Sequence, residues 1–263
     1  MPTDSRLWSA RGFLLALAAY LVLHAALRLL LSDTLLVDDA EQLLFVRGGL
    51  AWGYGIGQPP LYTWLAWGAF RLLGPGLAAL TLLKYLLLGV TAVYVYLAGR
   101  RLAADPRMAW LAAAVLLTLV SPFAWRAHQG FTHTMMLSLA CAAVVHAALV
   151  LRARGRLRDY LALGFWLAVG WLGKYSFALL FVPLLAAMAL IPAYRARLLD
   201  RRMPLALGLM LLLLAPHLAW QWAHVTELQD FYAGTVQTGG ADRWLAGVAD
   251  GLYSLGKSVL YFL

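Results

Sequence analysis

Long apolar runs separated by short clusters of arginine fix the kind of fold open to this chain more than any other feature. A helix needs about 20 apolar residues to cross a hydrocarbon core of ~30 Å. Backbone N–H and C=O groups in lipid must pair within the segment, so such runs become helices. Runs of this kind lie at about 12–31, 77–98, 108–125, 132–151, 203–222 and 244–263. The apolar stretch 160–191 would measure about 48 Å as one helix. With Gly173 and Lys174 at its middle it reads as a hairpin of two short spans, 160–172 and 175–191. The first run follows Arg6 and Arg11, as a secretory signal would, but it is too long for a signal core and lacks a small-residue cleavage site. The expectation is an all-α, polytopic transmembrane helical bundle of about eight spans.

The stretch 61–73 is apolar and aromatic but short, follows Pro59-Pro60 and carries Arg71. It reads as a helix lying in the membrane interface with proline at its start. Charge supports this layout. Arg6, Arg11, Arg100, Arg101, Arg107, Arg152, Arg154, Arg156, Arg158, Arg195, Arg197, Arg201 and Arg202 all fall on one side, 13 of the 21 basic residues. Asp33, Asp38, Asp39, Glu41, Glu227, Asp230 and Asp242 collect on the other. The positive-inside rule makes the arginine side cytoplasmic, with the N-terminus there. Either turning 61–73 into a span or joining 160–191 into one would divide the arginines between both sides. The net charge of +9 is therefore an orientation signal. Arginines scattered over short loops form no single basic patch, which argues against nucleic acid. At 63% apolar and 13% charged residues, the chain lacks the polar surface of a soluble globule. Cys141, the one cysteine, lies in an apolar run and reads as a small core residue.

The outer side carries the candidate chemistry. Its first loop, 32–73, opens with Asp33 and Val37-Asp38-Asp39-Ala40-Glu41, and Leu43, Leu44 and Arg47 extend this into a short interfacial helix. Gly48, Gly49, Gly53, Gly55 and Gly57 then let the backbone turn closely, but no strand precedes them to make a nucleotide loop. The acids read either as a solvated loop with Asp38 capping the helix, or as a crowded set in which one raised pKa suits a general base or metal ligand. His24, His128, His133, His217 and His224 share this side without zinc-site spacing. They read singly as interfacial histidines and together as the lining of an outward-opening polar cavity. Arg126 and Lys174 end spans and Lys84 lies within one, and ionisable groups so placed are functional candidates or head-group anchors.

Four segments in order, Val37-Asp38-Asp39-Ala40-Glu41-Gln42, Gln58-Pro59-Pro60-Leu61-Tyr62-Thr63-Trp64, Gly173-Lys174-Tyr175 and Pro216-His217-Leu218-Ala219-Trp220, carry a likeness that covers nearly the whole chain. The sequence resembles the GT-C superfamily of membrane glycosyltransferases, in the bacterial branch related to dolichyl-phosphate-mannose–protein mannosyltransferases and the aminoarabinose transferases of lipid A. The resemblance implies transfer of a sugar from a polyprenyl phosphate to a lipid, glycan or protein acceptor on the outer face of a bacterial inner membrane, with inversion. It places the catalytic role on Asp38. Asp39 stands where the family has Glu, Gln58 where a phosphate-binding Lys is frequent, and His133 where an Asp is frequent. Asp39, Glu41, Gln58, Tyr62, Arg126, His133 and Lys174 are then the substrate-binding candidates. Arg126 and Lys174, or a divalent metal held by Asp39 or His133, would meet the departing phosphate; no other cofactor is implied. A polytopic transporter or lipid flippase is the alternative class, though no internal repeat marks one. Relatives of this kind continue with further spans and often a soluble outer domain, so the chain reads as the membrane-embedded first part of a longer protein.

Overall fold

A computed structural model describes residues 8–54, 58–229, 249–251, 253 and 257. Among the described residues the secondary structure is helical throughout, with no strand. Arg6, Gly55, Gly57, Asp230, Asp242 and most of the span expected at 244–263 lie outside the described residues. Residues 1–54 and 58–220 belong to one unit, and 55–57 with 221–263 to a second.

In the first unit, α1 (Ala10–Leu31) starts on Ser9, whose hydroxyl accepts from the Gly12 amide at 3.1 Å. It is apolar all round and buries only Phe13, Leu17 and Ala25; Phe13 stacks on Tyr96 at 4.3 Å. The short helices α2 (Val37–Phe45) and α3 (Leu61–Leu73) follow. The next helix, α4 (Leu77–Leu102), is the axis of the unit and packs against α1, α3, α5 and α7. The span expected at 108–125 is not one straight rod. It comprises α5 (Pro106–Thr118), α6 (Ser121–Ala124) and the 3-10 turn Arg126–His128, with a 65° bend after α5. Pro122 explains the break, since it cannot donate the amide a continuous helix would need there.

Beyond it, α7 (His133–Arg154) ends on Gly155, whose φ of 62° is left-handed. The helix α8 (Leu157–Gly173) begins with a box in which the Asp159 carboxylate accepts from the Arg156 amide at 2.9 Å. The expected hairpin follows: Lys174 is extended, a 3-10 turn covers Tyr175–Phe177, and α9 (Ala178–Leu190) runs back. A 106° bend separates α9 from α10 (Pro192–Leu198), after which α11 is Met203–Ala223. A Cβ on Gly164 would collide with the Ala206 carbonyl, so α8 and α11 approach closely only because that residue is glycine.

Among the described residues four helices (α1, α4, α7 and α11) are long and apolar enough to cross a membrane, and up to six spans result if each bent pair counts as one. The 17 residues of α8 cover about 25 Å. The sequence boundaries of α3 are reproduced, and at 13 residues it is too short to span. The arginine loops gather at one end of the unit: Arg197 donates to the Arg152 carbonyl, Arg202 to that of Gly155, and Arg101 to the His146 ring. At the other end stand α2, α3, the turns 119–132 and 173–177, and the approach to Trp220.

Candidate active site

The acidic segment forms α2 because its carboxylates lie in the first turn, where the helix dipole favours negative charge. The N-cap is Leu36, extended and without a side-chain cap bond, so Asp38 is inside the helix and not its cap. Helical spacing then separates the acids. Asp38 and Glu41 share an exposed face, while Asp39 and Gln42 share the face pressed into the protein. Asp39 is 0% exposed and accepts both 3.2 and 3.1 Å bonds from Lys84 Nζ of α4, itself 3% exposed. The third Lys84 bond goes to the Gln129 carbonyl at 3.0 Å. Gln42 accepts from the Thr63 hydroxyl at 2.8 Å, joining α2 to α3.

Asp38, turned the other way, opens into a cavity of about 300 Å³ lined by Leu36, Val37, Arg126, Gln129, Gly130 and Phe131. Arg126 reaches that cavity because the bend after α5 swings its turn across the end of the unit. Withdrawal from water in the concave wall raises the Asp38 pKa above the usual carboxylate range, and the neighbouring Asp39 charge adds to this. Lys174 and Lys84 oppose the rise by favouring the carboxylate. Glu41 is exposed one turn further along.

Beside the acids lie two buried polar atoms that find no hydrogen-bond partner among the described residues, Tyr62 Oη and Gln58 Oε1, and the His133 ring, which faces the Pro59 carbonyl. Tyr62 is 0% exposed, its ring 5.3 Å from that of His133. Burial, and then the charges of Asp39 and Asp38, push the Tyr62 phenol well above its usual pKa. Unsatisfied polar groups of this kind cost free energy, and substrate hydroxyls are what such positions can take. Lys174, in the α8–α9 turn, donates to the Thr134 hydroxyl at 2.9 Å. The structure thus brings together Asp38, Asp39, Tyr62, His133 and Lys174 around one end of α4, sets Arg126 on the cavity of Asp38, and leaves Glu41 on the surface.

The framework around this cluster comes from the other segments singled out in the sequence. His217, 2% exposed, donates from Nδ1 to the Trp52 carbonyl at 2.6 Å, leaving Nε2 to accept from the Tyr175 hydroxyl at 3.0 Å. Trp64 donates to the Ala51 carbonyl at 2.7 Å and meets Trp52 edge to face. A Cβ on Gly53 would run into the Trp220 ring, so only glycine lets the loop lie there. His128 stacks on His24 and is held at 2.9 Å on both sides: Tyr85 donates to Nδ1, and Nε2 donates to Tyr20, whose own proton goes to the Leu117 carbonyl. Most histidines at this end of the unit therefore serve as struts.

Among the described residues no group of three His, Cys, Asp or Glu is placed to hold a metal ion. Sequence reasoning marked Lys84 as an intramembrane cation without identifying its partner. An isolated lysine in a span needs a counter-charge, and the span itself contains no acid, which directs the search to the acidic loop beside it. Of the two partners of His217, Tyr175 stood in the Gly173-Lys174-Tyr175 segment, whereas Trp52 carried no signal of its own.

Comparison with known proteins bears on this geometry. Residues 57–220 match the family described as dolichyl-phosphate-mannose-protein mannosyltransferase. The chain is 36% identical over 208 residues to the lipopolysaccharide core galacturonosyltransferase RgtA of Rhizobium johnstonii, covering 78% of this chain and 41% of that protein. It is 31% identical over 246 residues to the lipopolysaccharide core galacturonosyltransferase RgtB of the same organism, covering 94% of this chain and 49% of the relative. The chain thus spans less than half the length of these curated relatives. No solved structure matches.

Proposed function

The chain belongs to the dolichyl-phosphate-mannose-protein mannosyltransferase family, and on that premise we propose that it transfers a sugar from a polyprenyl-phosphate donor to a hydroxyl of a glycan acceptor. By likeness to the two relatives the sugar is a galacturonosyl residue and the acceptor a lipopolysaccharide core. The reaction is placed on the outer face of a bacterial inner membrane, with the arginine loops and N-terminus cytoplasmic. One observation carries the reading: of two adjacent carboxylates, Asp39 is neutralised by Lys84 while Asp38 alone opens into a cavity shared with a cation.

In this mechanism Asp38 accepts the proton of the acceptor hydroxyl as its oxygen attacks the anomeric carbon. The bond from that carbon to the phosphate oxygen breaks with inversion, and polyprenyl phosphate departs. Positive charge develops on the sugar and negative charge on the phosphate, and the fixed cations Lys174 and Arg126 favour the charged transition state. The unpartnered Tyr62 and Gln58 atoms, with His133 beside them, meet the sugar and hold it for in-line displacement. The chain of the donor lies in lipid beside the apolar spans.

The test is transfer of labelled sugar from a polyprenyl phosphate by the full-length protein. Asp38→Asn lowers kcat about 10²- to 10⁴-fold, the range for loss of a general base, with thermal stability close to that of the wild type. Unaltered transfer would remove Asp38 from the chemistry. Asp38 must be ionised to act, and its raised pKa moves the acid limb of kcat/KM upward. Activity therefore falls as pH drops through a value above that of an ordinary aspartate, and an acid limb at or below the ordinary aspartate value would sink the assignment.

A further inference from the structure

We propose that Arg126 recognises the carboxylate of a uronosyl donor, while Lys174 takes the lipid-linked phosphate, so that Arg126 sets the preference for an acidic sugar. This deepens the function proposed above and rests on it.

Lys84, Lys174 and Arg126 border the cluster at the α2 end with the buried Asp39 and the open Asp38, while Arg28, whose charge also reaches Lys84, donates to the Ser32 and Thr34 carbonyls. Lys84 and Asp39 cancel each other at 3.1 Å in a site closed to water. Asp38 is kept for the acceptor proton. Among the described residues neither Arg126 nor Lys174 has a carboxylate within ion-pair distance. Both cations are thus free of ion pairs, and the open Asp38 carboxylate, whose charge Lys174 favours, offsets one of the two. A neutral hexose on a polyprenyl phosphate brings one anionic group, whereas a uronosyl donor brings two, the phosphodiester and the carboxylate on the sugar ring. The second kind of donor brings one anionic group for each of the two cations that lack an ion pair.

Position assigns the two. The phosphate stays attached to a chain held in lipid, so it must lie where the apolar spans meet the polar end. Lys174 is there, in the turn between α8 and α9, its ammonium on Thr134 in the first turn of α7. Lysine serves phosphate well as a compact point charge. Arg126 instead lies on the cavity open to water, with Asp38 and Gln129, and Phe131 offers an apolar wall for the C–H face of a sugar. Its planar guanidinium can donate two parallel bonds to one carboxylate. The 65° bend after α5 puts it there, and in a straight helix the same residue would point elsewhere.

The experiment compares polyprenyl-phosphate galacturonate and polyprenyl-phosphate galactose as donors for the full-length protein in lipid nanodiscs. The wild type prefers the uronosyl donor. Arg126→Gln lowers the ratio of kcat/KM for the two donors about 100-fold, as expected when one partner of a charge pair is removed. Arg126→Lys keeps part of the preference, and Lys174→Gln lowers both donors alike and leaves the ratio where it was. The ratio is measured on one sample, so loss of folded protein does not move it. Equal loss of both donors with Arg126→Gln, or a wild type without preference, would overturn the inference and leave the transferase reading standing. No transfer from either donor by the wild type would overturn both.

Discussion

The two ends of the first unit carry charge in opposite ways. At the arginine end Arg100, Arg101, Arg154, Arg158, Arg195 and Arg201 are exposed, and the contacts there are with backbone carbonyls, with rings, as Arg152 over Tyr194 at 5.7 Å, and with two carboxylates at 3.9 and 4.0 Å. At the α2 end Asp39, Lys84, Tyr62, His133 and His217 are all at most 5% exposed. Arginine in water costs little and contributes little to stability, while charge taken from water must be paired or put to use. The count of charges marks orientation. The loss of water around them marks the site.

The largest way to break that contrast is Lys84→Met. It strands the Asp39 carboxylate in a site with no exposure, and breaking a buried pair in this way costs about 3–5 kcal/mol. Thermal unfolding in detergent should show the loss, and Asp39→Asn placed on the same background should recover much of it. A single Lys84→Met variant as stable as the wild type would mean that the pair does not hold α2 in place. Asp38→Asn is the control within the same helix turn: it removes activity and leaves stability nearly alone.

How far this was readable beforehand depends on distance along the chain. Apolar length and arginine placement determine the helices, and Gly173-Lys174 marks the hairpin because a single helix there would overrun the bilayer. Pro60 before an aromatic run marks α3 to the residue. The division of labour between Asp38 and Asp39 was closed to such reading. Adjacent helix positions differ by 100°, and which one turns inward depends on where α4 meets α2. Lys84 lies 45 positions from Asp39, and Trp52 lies 165 from His217. Such pairs leave no periodic trace. The turn carrying Arg126 had a local cue in Ser121-Pro122, but the direction of the bend comes from packing.

A middle-sized test concerns the framework. His217→Phe keeps the ring volume and removes two hydrogen bonds, leaving the Trp52 carbonyl and the Tyr175 hydroxyl without their partner. Buried groups stranded in this way cost about 1–3 kcal/mol. The expected signature is a lowered unfolding midpoint with faster proteolytic cleavage between Gly49 and Trp52, because the histidine ties that loop to α11. Wild-type cleavage would show that the tryptophan contacts alone hold it.

Arg158→Ala is the smallest expected effect and tests the other end of the contrast. Arg158 sits 3.9 Å from Asp159 with 66% of its side chain exposed. The nearer partner of Asp159 is the Arg156 amide in the cap of α8, which the substitution leaves in place. Solvent screening reduces exposed pairs to a few tenths of a kcal/mol, so the unfolding midpoint should shift by no more than about 0.5 kcal/mol allows. Orientation in the membrane, read with reporters fused after Arg158 and after Leu50, should also hold, since twelve other arginines on the same side repeat the signal. A loss comparable to that of Lys84→Met would mean that the arginine end carries structural charge after all, and exposure would no longer separate the two ends.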